Sequence, residues 1–298
     1  MPRLNLEQLR TFLVVHRTGG VGRAAQALNL TQPAVTARMK ALEESLGTRI
    51  FDRDGGPGRL TKRGEMLLRH AQTLEALADR IEREIVDPAG IEGHLRIGAS
   101  ETIAQSWLPG FILALYREFP NLQIEFNVDV SVNLRKALIA REIDLAFLLG
   151  PISDHTVSNL VLPSFPLGWY ADAAIDPGDP AAARLFDRPV ITYARNTRPY
   201  RDVRDLVSTR LGPDVALFPS SSLSATIRLV ASGLGVSPLP VALAEGPHRE
   251  GELCRFDPGW GPEALVFTAS WLADPPSHVA ERAVAIASEV AEGYARGG

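Results

Sequence analysis

Three observations predict a multidomain chain in which a small α+β head, a linker helix and a two-lobed α/β body follow one another. Residues 1–64 hold three closely spaced helical patterns and a glycine-rich hairpin turn. Residues 65–90 carry a heptad-like apolar repeat and end in Pro88-Ala89-Gly90. From residue 91 to residue 298, short apolar runs alternate with amphipathic stretches, as strands and helices do in turn. At 298 residues the chain is too long for one ordinary core, and with 45% hydrophobic residues every part can bury its own.

Composition narrows the function classes. No apolar run approaches the ~18 residues of a membrane span, and the opening MPRLNLEQLRTF has charges where a signal peptide needs an apolar centre. A cytoplasmic protein without a membrane partner is expected. A lone cysteine, Cys254, excludes an internal disulfide framework. The six histidines (16, 70, 94, 155, 248, 278) never fall in metal-ligand spacing. GxSxG, GxxxxGK[ST] and a strand-borne GxGxxG are all missing. Neither an enzyme, a metal nor a cofactor is therefore expected. The net charge of −4 is unevenly spread: residues 1–70 hold 12 Lys+Arg against 6 Asp+Glu, and the rest hold 19 against 29. A basic head on an acidic body suggests that only the head meets a polyanion.

In the head, Leu6, Leu9, Leu13 and His16, widened by Phe12, predict a first helix over 5–17, closed by Gly19-Gly20. Residues 21–28 form a short second helix with Ala24, Ala25 and Leu28 inward, and Asn29-Leu30 a tight turn. Thr31 is placed to cap a third helix through its hydroxyl, with Pro33 in the first turn. Val35, Met39, Leu42 and Leu46 are its buried side and Gly47 its stop. This is a helix-turn-helix order, in which the start of the second helix of the motif reaches base edges in the major groove. Gln32, Pro33, Ala34, Thr36 and Arg38 lie at that start: Gln suits adenine, Arg guanine, Thr a thymine methyl or a phosphate. Lys40, further from the cap, is left with a phosphate at best. Next, Ile50-Phe51, which can pack under the helices, and the turn DGGPG predict a wing, with Arg53, Arg59, Lys62 and Arg63 suited to phosphates or the neighbouring minor groove.

LEQLRTFLVV, GRAAQALNLTQPAVTARMKALEESLG and RIFDRDGGPGRLTKRG resemble, in order and spacing, the amino-terminal domain of LysR-type transcriptional regulators. Val21 stands where that family often has Ser, which weakens a cap on the second helix, and Thr36 replaces a frequent Ser while keeping the hydroxyl. The resemblance implies a winged helix-turn-helix bound to palindromic double-stranded DNA, with RNA polymerase as a further partner if the protein activates.

Leu67, Ala71, Leu74, Ala78, Ile81 and Ile85 are spaced 4-3-4-3-4, an a/d seam for a homodimer. In the body, HLRIGA, helix 103–118, LQIEFNV, helix 132–141 and IDLAFLL read as β-α-β-α-β, hence a parallel sheet. PLGWYA, PVITY, helix 200–210, DVALFP, helix 223–233 and GVSPLP follow, then strand ALVFTASW and helix 277–295. Lobe one is expected at about 91–162 and 267–298, lobe two at about 163–266. Such a body is similar to periplasmic binding proteins, as LysR-type effector domains are, and GHLRIGAS, IDLAFLLG and LVASGLGVSPLP match that family's landmarks. The resemblance favours a tetramer over a dimer.

Ligands of open α/β sheets sit at the carboxyl ends of strands. That rule nominates Ser100, Glu101 and Thr102, then Ser131 and Val132, then Leu149 and Gly150. Lobe two adds Tyr193, Arg195 and Asn196, then Ser220, Ser221 and Ser222. Hydroxyls at helix starts favour a small organic anion. Glu101 leaves three options open: repelling a carboxylate, pairing with an arginine, or pairing with a ligand's amine. With Arg195, Arg198 and Arg201 near the rim, an amphoteric metabolite is the other effector class. The rival reading is a solute-binding or substrate-processing protein with a silent head.

Overall fold

The computed structural model describes residues 4–52, 58–86, 93–175, 180–273 and 277–297, with only the backbone of 76, 79–86 and 180–183. The chain forms two compact units, Met1–Gly93 and His94–Gly298.

In the first unit, α1 (Leu6–Thr18), α2 (Val21–Ala27) and α3 (Gln32–Leu46) enclose a core of Leu9, Phe12, Val15, Ala24, Ala25, Val35, Met39, Leu42 and Ile50. The inward stripe of α1 starts at Leu9 rather than Leu6, which is 37% exposed, and it includes Val15. Asn5 caps α1 by accepting from the Glu7 amide at 2.8 Å. Gly19 ends the helix in the left-handed region at φ 72°, where a side chain would be strained. Gly20 holds the N-cap of α2 and has no side chain to offer it, and Val21 is the first residue of the helix. Asn29 makes the turn at φ 52°.

Thr31 holds the N-cap position of α3, but only its backbone carbonyl works there, accepting from Ala34 and Val35. The expected hydroxyl cap is not formed. Ile50 and Phe51 pack under the helices, and the wing is tied to α3 through its backbone as well. Glu43, on α3, accepts from the backbone amides of Ile50 at 2.8 Å and Phe51 at 3.4 Å. Phe51 bridges Leu60 across the wing, and its ring lies 5.5 Å from that of Phe12. Residues 53–57, Arg53 among them, lie outside the described residues.

Helix α4 (Lys62–Val86) begins where Thr61 accepts from the Gly64 amide at 3.0 Å. Gly64 sits so close to the wing that a Cβ would meet the Ile50 carbonyl oxygen at 2.1 Å. Ala71 is fully buried in the head core, with Leu67 and Leu68 packed against it. The first two seam positions, Leu67 and Ala71, thus face their own chain rather than a partner: they close the open side of a three-helix core too small to seal itself. Beyond Ala71, Leu74 and Leu77 are exposed, at 40% and 41%, as Met66 is at 53% nearer the helix start, and Ala78 is half-buried. The side chains of Ile81 and Ile85, and the hinge 88–90, lie outside the described residues.

The second unit opens with β1 (His94–Ala99), α5 (Glu101–Ala104), α6 (Leu108–Glu118), β2 (Gln123–Val128), α7 (Ser131–Ile139), β3 (Leu145–Leu149) and β4 (Val157–Val161). The helix expected at 103–118 is broken into α5 and α6 because Pro109 must sit in a first turn. Lobe two contains β5 (Leu167–Asp172), a 3-10 segment (Pro180–Asp187), β6 (Val190–Thr192), α8 (Arg198–Leu211), β7 (Leu217–Pro219), α9 (Leu223–Ala231), β8 (Ser237–Pro240), α10 (Val241–Arg249) and β9 (Leu253–Phe256). The chain ends with β10 (Phe267–Leu272) and α11 (His278–Gly297).

Lobe one is a sheet of order β2-β1-β3-β10-β4. Its β1–β2 and β1–β3 pairs are parallel, as expected, whereas β10 runs antiparallel between β3 and β4. Along β3, Leu145 and Phe147 pack with Trp107, Phe111 and α11, while Ala146 and Leu148 pack with Leu134 and Leu138 of α7. A strand covered on both faces is apolar throughout. Lobe two has β8-β5-β9 antiparallel and β6-β7 parallel, joined by a bridge from Val190 to Val236. The chain crosses between lobes twice, and the crossings pair through reciprocal Phe165–Leu265 backbone bonds of 2.9 Å. Strands β4 and β9 and helix α10 were not expected: VSNLV and LCRF mix polar with apolar residues, and α10 contains Gly246 and Pro247.

Gly64→Ala should lower the thermal stability of the first unit, by about 1–3 kcal/mol from overpacking against backbone, read as a lower melting temperature. Glu43→Ala should speed hydrogen exchange at the Ile50 and Phe51 amides about tenfold, since a bond to a charged group is worth roughly 1.5–3 kcal/mol.

Candidate functional site

The outer face of α3 follows from its inner one. With Val35, Met39 and Leu42 buried, Gln32, Pro33, Thr36, Ala37 and Lys40 are exposed, and Ala34 is half-buried. Gln32, Thr36 and Lys40 are spaced four apart and share one stripe. The Thr36 hydroxyl donates to the Gln32 carbonyl at 2.9 Å, which leaves its oxygen lone pairs and methyl group for a partner.

Arg38 lies elsewhere. Its guanidinium is turned back on α1, 3.2 Å from the Thr11 hydroxyl and 3.5 Å from the Glu7 carboxylate. It sits two residues, about 200°, round the helix from Thr36. The expectation that Arg38 stands free beside Gln32 and Thr36 is corrected, and Lys40, at the helical repeat, takes its place on the outward stripe. Lys40 also pairs with Glu44 at 3.8 Å. On the wing side Arg59, Lys62 and Arg63 are exposed.

The second unit holds a cleft of about 350 Å³ between its lobes. Lobe one contributes Ser100, Glu101, Thr102, Ser131 and Leu149, each at the carboxyl end of a strand or the first turn after it. Lobe two contributes Tyr193, Ser220, Ser221 and Ser222. Four nominated residues do not line it. Val132 is turned about 100° round α7 from Ser131. Gly150 backs onto Thr268, whose hydroxyl a Cβ would meet at 2.0 Å. Arg195 is exposed with its guanidinium 5.9 Å from the Tyr200 ring centre, and its neighbour Asn196 is exposed too. Arg198 pairs with Asp202 at 3.3 Å, and Arg201 is exposed on α8. No Arg, Lys or His lines the cleft among the described residues.

Two cleft hydroxyls stand out. Ser100 is 8% exposed and Thr192 is 3% exposed, and neither side-chain oxygen has a hydrogen-bond partner. Both lie at the carboxyl ends of strands, β1 and β6, on opposite lobes. Buried polar atoms are rarely left unpaired in folded proteins, so both call for a partner, a water or a ligand group. Several polar groups around them already have partners within the chain. The Ser131 hydroxyl accepts from the Leu149 amide at 3.0 Å. Tyr193 donates to the Pro238 carbonyl at 3.1 Å, and burial pushes its phenol pKa above the ordinary value, so it stays a neutral donor. Asp129 accepts from the Val130 amide at 2.7 Å and from Asn133 at 2.9 Å.

Of the options for Glu101, the pair with an arginine is not formed among the described residues: its carboxylate accepts from the Ser224 amide at 3.1 Å, the Ser224 hydroxyl at 2.8 Å and the Leu223 amide. Ser222 and Gln105 complete the set at 3.3 and 2.8 Å. A lobe-one carboxylate thus sits on the N-terminus of α9, in lobe two. Thr192, Asp129, Thr226 and Ser237 line the cleft without having been nominated. The strand-end rule reaches Thr192 if PVITY is cut one residue earlier. Thr226 and Ser237 lie inside a helix and a strand, and no local signal marks them.

Residues 6–65 match the family model described as bacterial regulatory helix-turn-helix protein, lysR family, and residues 88–292 match that of the LysR substrate binding domain. The chain is similar to the HTH-type transcriptional regulator YofA of Bacillus subtilis (strain 168), 29% identical over 242 residues, covering 81% of this chain and 83% of the relative. Among solved structures it is similar to a full-length OxyR variant of Pseudomonas aeruginosa, at 26% identity and TM-score 0.65, covering 97% and 95% of the two chains. It also shares its fold with full-length LysG of Corynebacterium glutamicum with bound effector Arg, at 18% identity and TM-score 0.67, covering 97% and 99%. With the second of these domains alone spanning more than half of its length, the chain belongs to the LysR family of DNA-binding transcriptional regulators with an effector-binding domain.

Proposed function

We propose that this protein reads a palindromic promoter site and that a small molecule held between the two lobes of the second unit shifts its DNA binding or the bend it imposes. The carrying observation is the pair of unpartnered buried hydroxyls, Ser100 and Thr192, facing one cleft from opposite lobes. A ligand that bonds both is complementary to one spacing of the lobes, which is how differential affinity moves a two-state equilibrium. LysG, with its bound effector, is a precedent for a small ligand in this fold. Of the two effector classes expected, the amphoteric one is favoured, because two carboxylates and, among the described residues, no basic side chain line the cleft.

Base reading is assigned to Gln32, Pro33, Ala34 and Thr36, and phosphate contact to Arg59, Lys62, Arg63, Lys40 and Arg53. Self-association as homodimer or homotetramer is supported by exposed apolar residues on both units. Leu74 and Leu77 stand out on α4, Leu113 and Tyr116 on α6, and Phe126 and Val128 on the open edge strand β2. Among the described residues no helix is long and apolar enough to cross a membrane, which accords with work beside DNA in the cytoplasm. RNA polymerase is the further partner if the protein activates.

The direct test is binding to the DNA upstream of its own gene at moderate salt; affinity no better than for random duplex overturns the reading. Gln32→Ala should relax base preference at a cost of roughly 1–3 kcal/mol, whereas Arg53→Ala weakens binding alike on all sequences. Ser100→Ala should blunt the effector response while sparing basal DNA binding. The loss of one hydrogen bond, about 1 kcal/mol, corresponds to roughly fivefold weaker effector affinity. An unchanged dose–response curve removes Ser100 from the site.

A further inference from the structure

A helix N-terminus that opens on a ligand cleft is an anion site by default, because its first amides lack partners and carry the positive end of the helix dipole. Helix α9, nine residues long, begins at Leu223 beside Ser222 in the lobe-two wall of the cleft. That position is not open. The Glu101 carboxylate already accepts from the first two amides of α9, those of Leu223 and Ser224, and from the Ser224 hydroxyl. Gln105, one turn along from Glu101, donates both to Glu101 at 2.8 Å and to the Ser224 hydroxyl at 2.6 Å, so two lobe-one side chains grip the same helix start.

The unpartnered hydroxyls show, independently, where a ligand belongs: at Ser100, next to Glu101 in the chain, and at Thr192 opposite. Ligand space and occupied anion position therefore share one cleft. We infer that Glu101 is a built-in stand-in for a ligand carboxylate: it fills the α9 anion position and clasps the lobes, so that the effector presents no carboxylate to lobe two. This inference concerns the same cleft as the effector reading above and gives that reading its chemistry. A carboxylate entering at α9 would have to displace Glu101, whose acceptor capacity is met from five donor groups without desolvating a free anion. A ligand offering a hydroxyl, an amide or an ammonium group instead meets the Ser100 and Thr192 oxygens beside two carboxylates. Charge then acts in its favour.

The experiment is hydrogen exchange on the full-length protein, wild type, Glu101→Ala and Glu101→Gln, each with added acetate or with chloride at equal ionic strength. In wild type, the Leu223 and Ser224 amides should be protected and indifferent to acetate. In Glu101→Ala they should exchange about tenfold faster, since a charge-assisted bond set is lost, and acetate but not chloride should restore protection by taking the vacated place. Glu101→Gln keeps the shape of the side chain and one acceptor, so the fold is preserved. It should lose part of the protection, with no rescue by acetate because the amide still fills the space. Wild type responding to acetate as strongly as Glu101→Ala overturns the assignment, and so does unchanged exchange in both variants. Failure of the effector reading would look different: DNA binding indifferent to every cleft ligand while the acetate rescue remains.

Discussion

The burial of β3 on both faces is the constraint from which the second unit takes its shape. Leu145, Phe147, Ala146 and Leu148 are almost completely removed from water, which requires a layer of helices on each side of the sheet. One layer is α6 and α11 with Trp107 and Phe111, and the other is α7. Both helices that follow parallel strands, α5 and α7, must then start at the same sheet edge, and the strand ends that precede them supply Ser100 and Ser131. The Leu149 amide, at the end of β3 itself, holds the Ser131 hydroxyl in that edge. The cleft is thus a consequence of covering one apolar strand twice.

Within that cleft the electrostatic pattern departs from a simple anion receptor. Of the helix starts that line it, those of α7 and α9 each meet a carboxylate of the chain itself. Asp129 bonds the amide of Val130 just before α7, and Glu101 bonds the first amides of α9. Among the described residues, hydroxyls rather than cations are what the cleft offers a ligand. The amphoteric effector proposed above suits this environment, because its donors meet oxygen atoms and it brings no uncompensated negative charge into a low-dielectric space.

The head shows how one helix serves packing and recognition together. Spacings of four and then three residues place Val35, Met39 and Leu42 inward, and a four-residue spacing places Gln32, Thr36 and Lys40 outward. Glu43 ties the start of the wing, at Ile50 and Phe51, to this helix. The α4 helix completes the core through Leu67 and Ala71 before its exposed leucines begin.

Much of this was legible in the sequence because it rests on local rules. Helix periods, glycine stops, the Thr31-Gln32-Pro33 start, the β-α-β-α-β order and the strand-end positions of Ser100 and Ser131 all depend on neighbours within a few residues. The tertiary structure decided what depends on residues distant in the chain. Arg38 turns back to Thr11 and Glu7 because α1 lies there, and Ala71 is buried because three short helices leave a side open. The partner of Glu101 sits more than a hundred positions away, at a helix start that spacing alone cannot bring near. Periodicity assigns a side chain to a face, whereas only the packed fold determines what that face meets, since hydrogen bonds and burial act between atoms in space rather than along the chain.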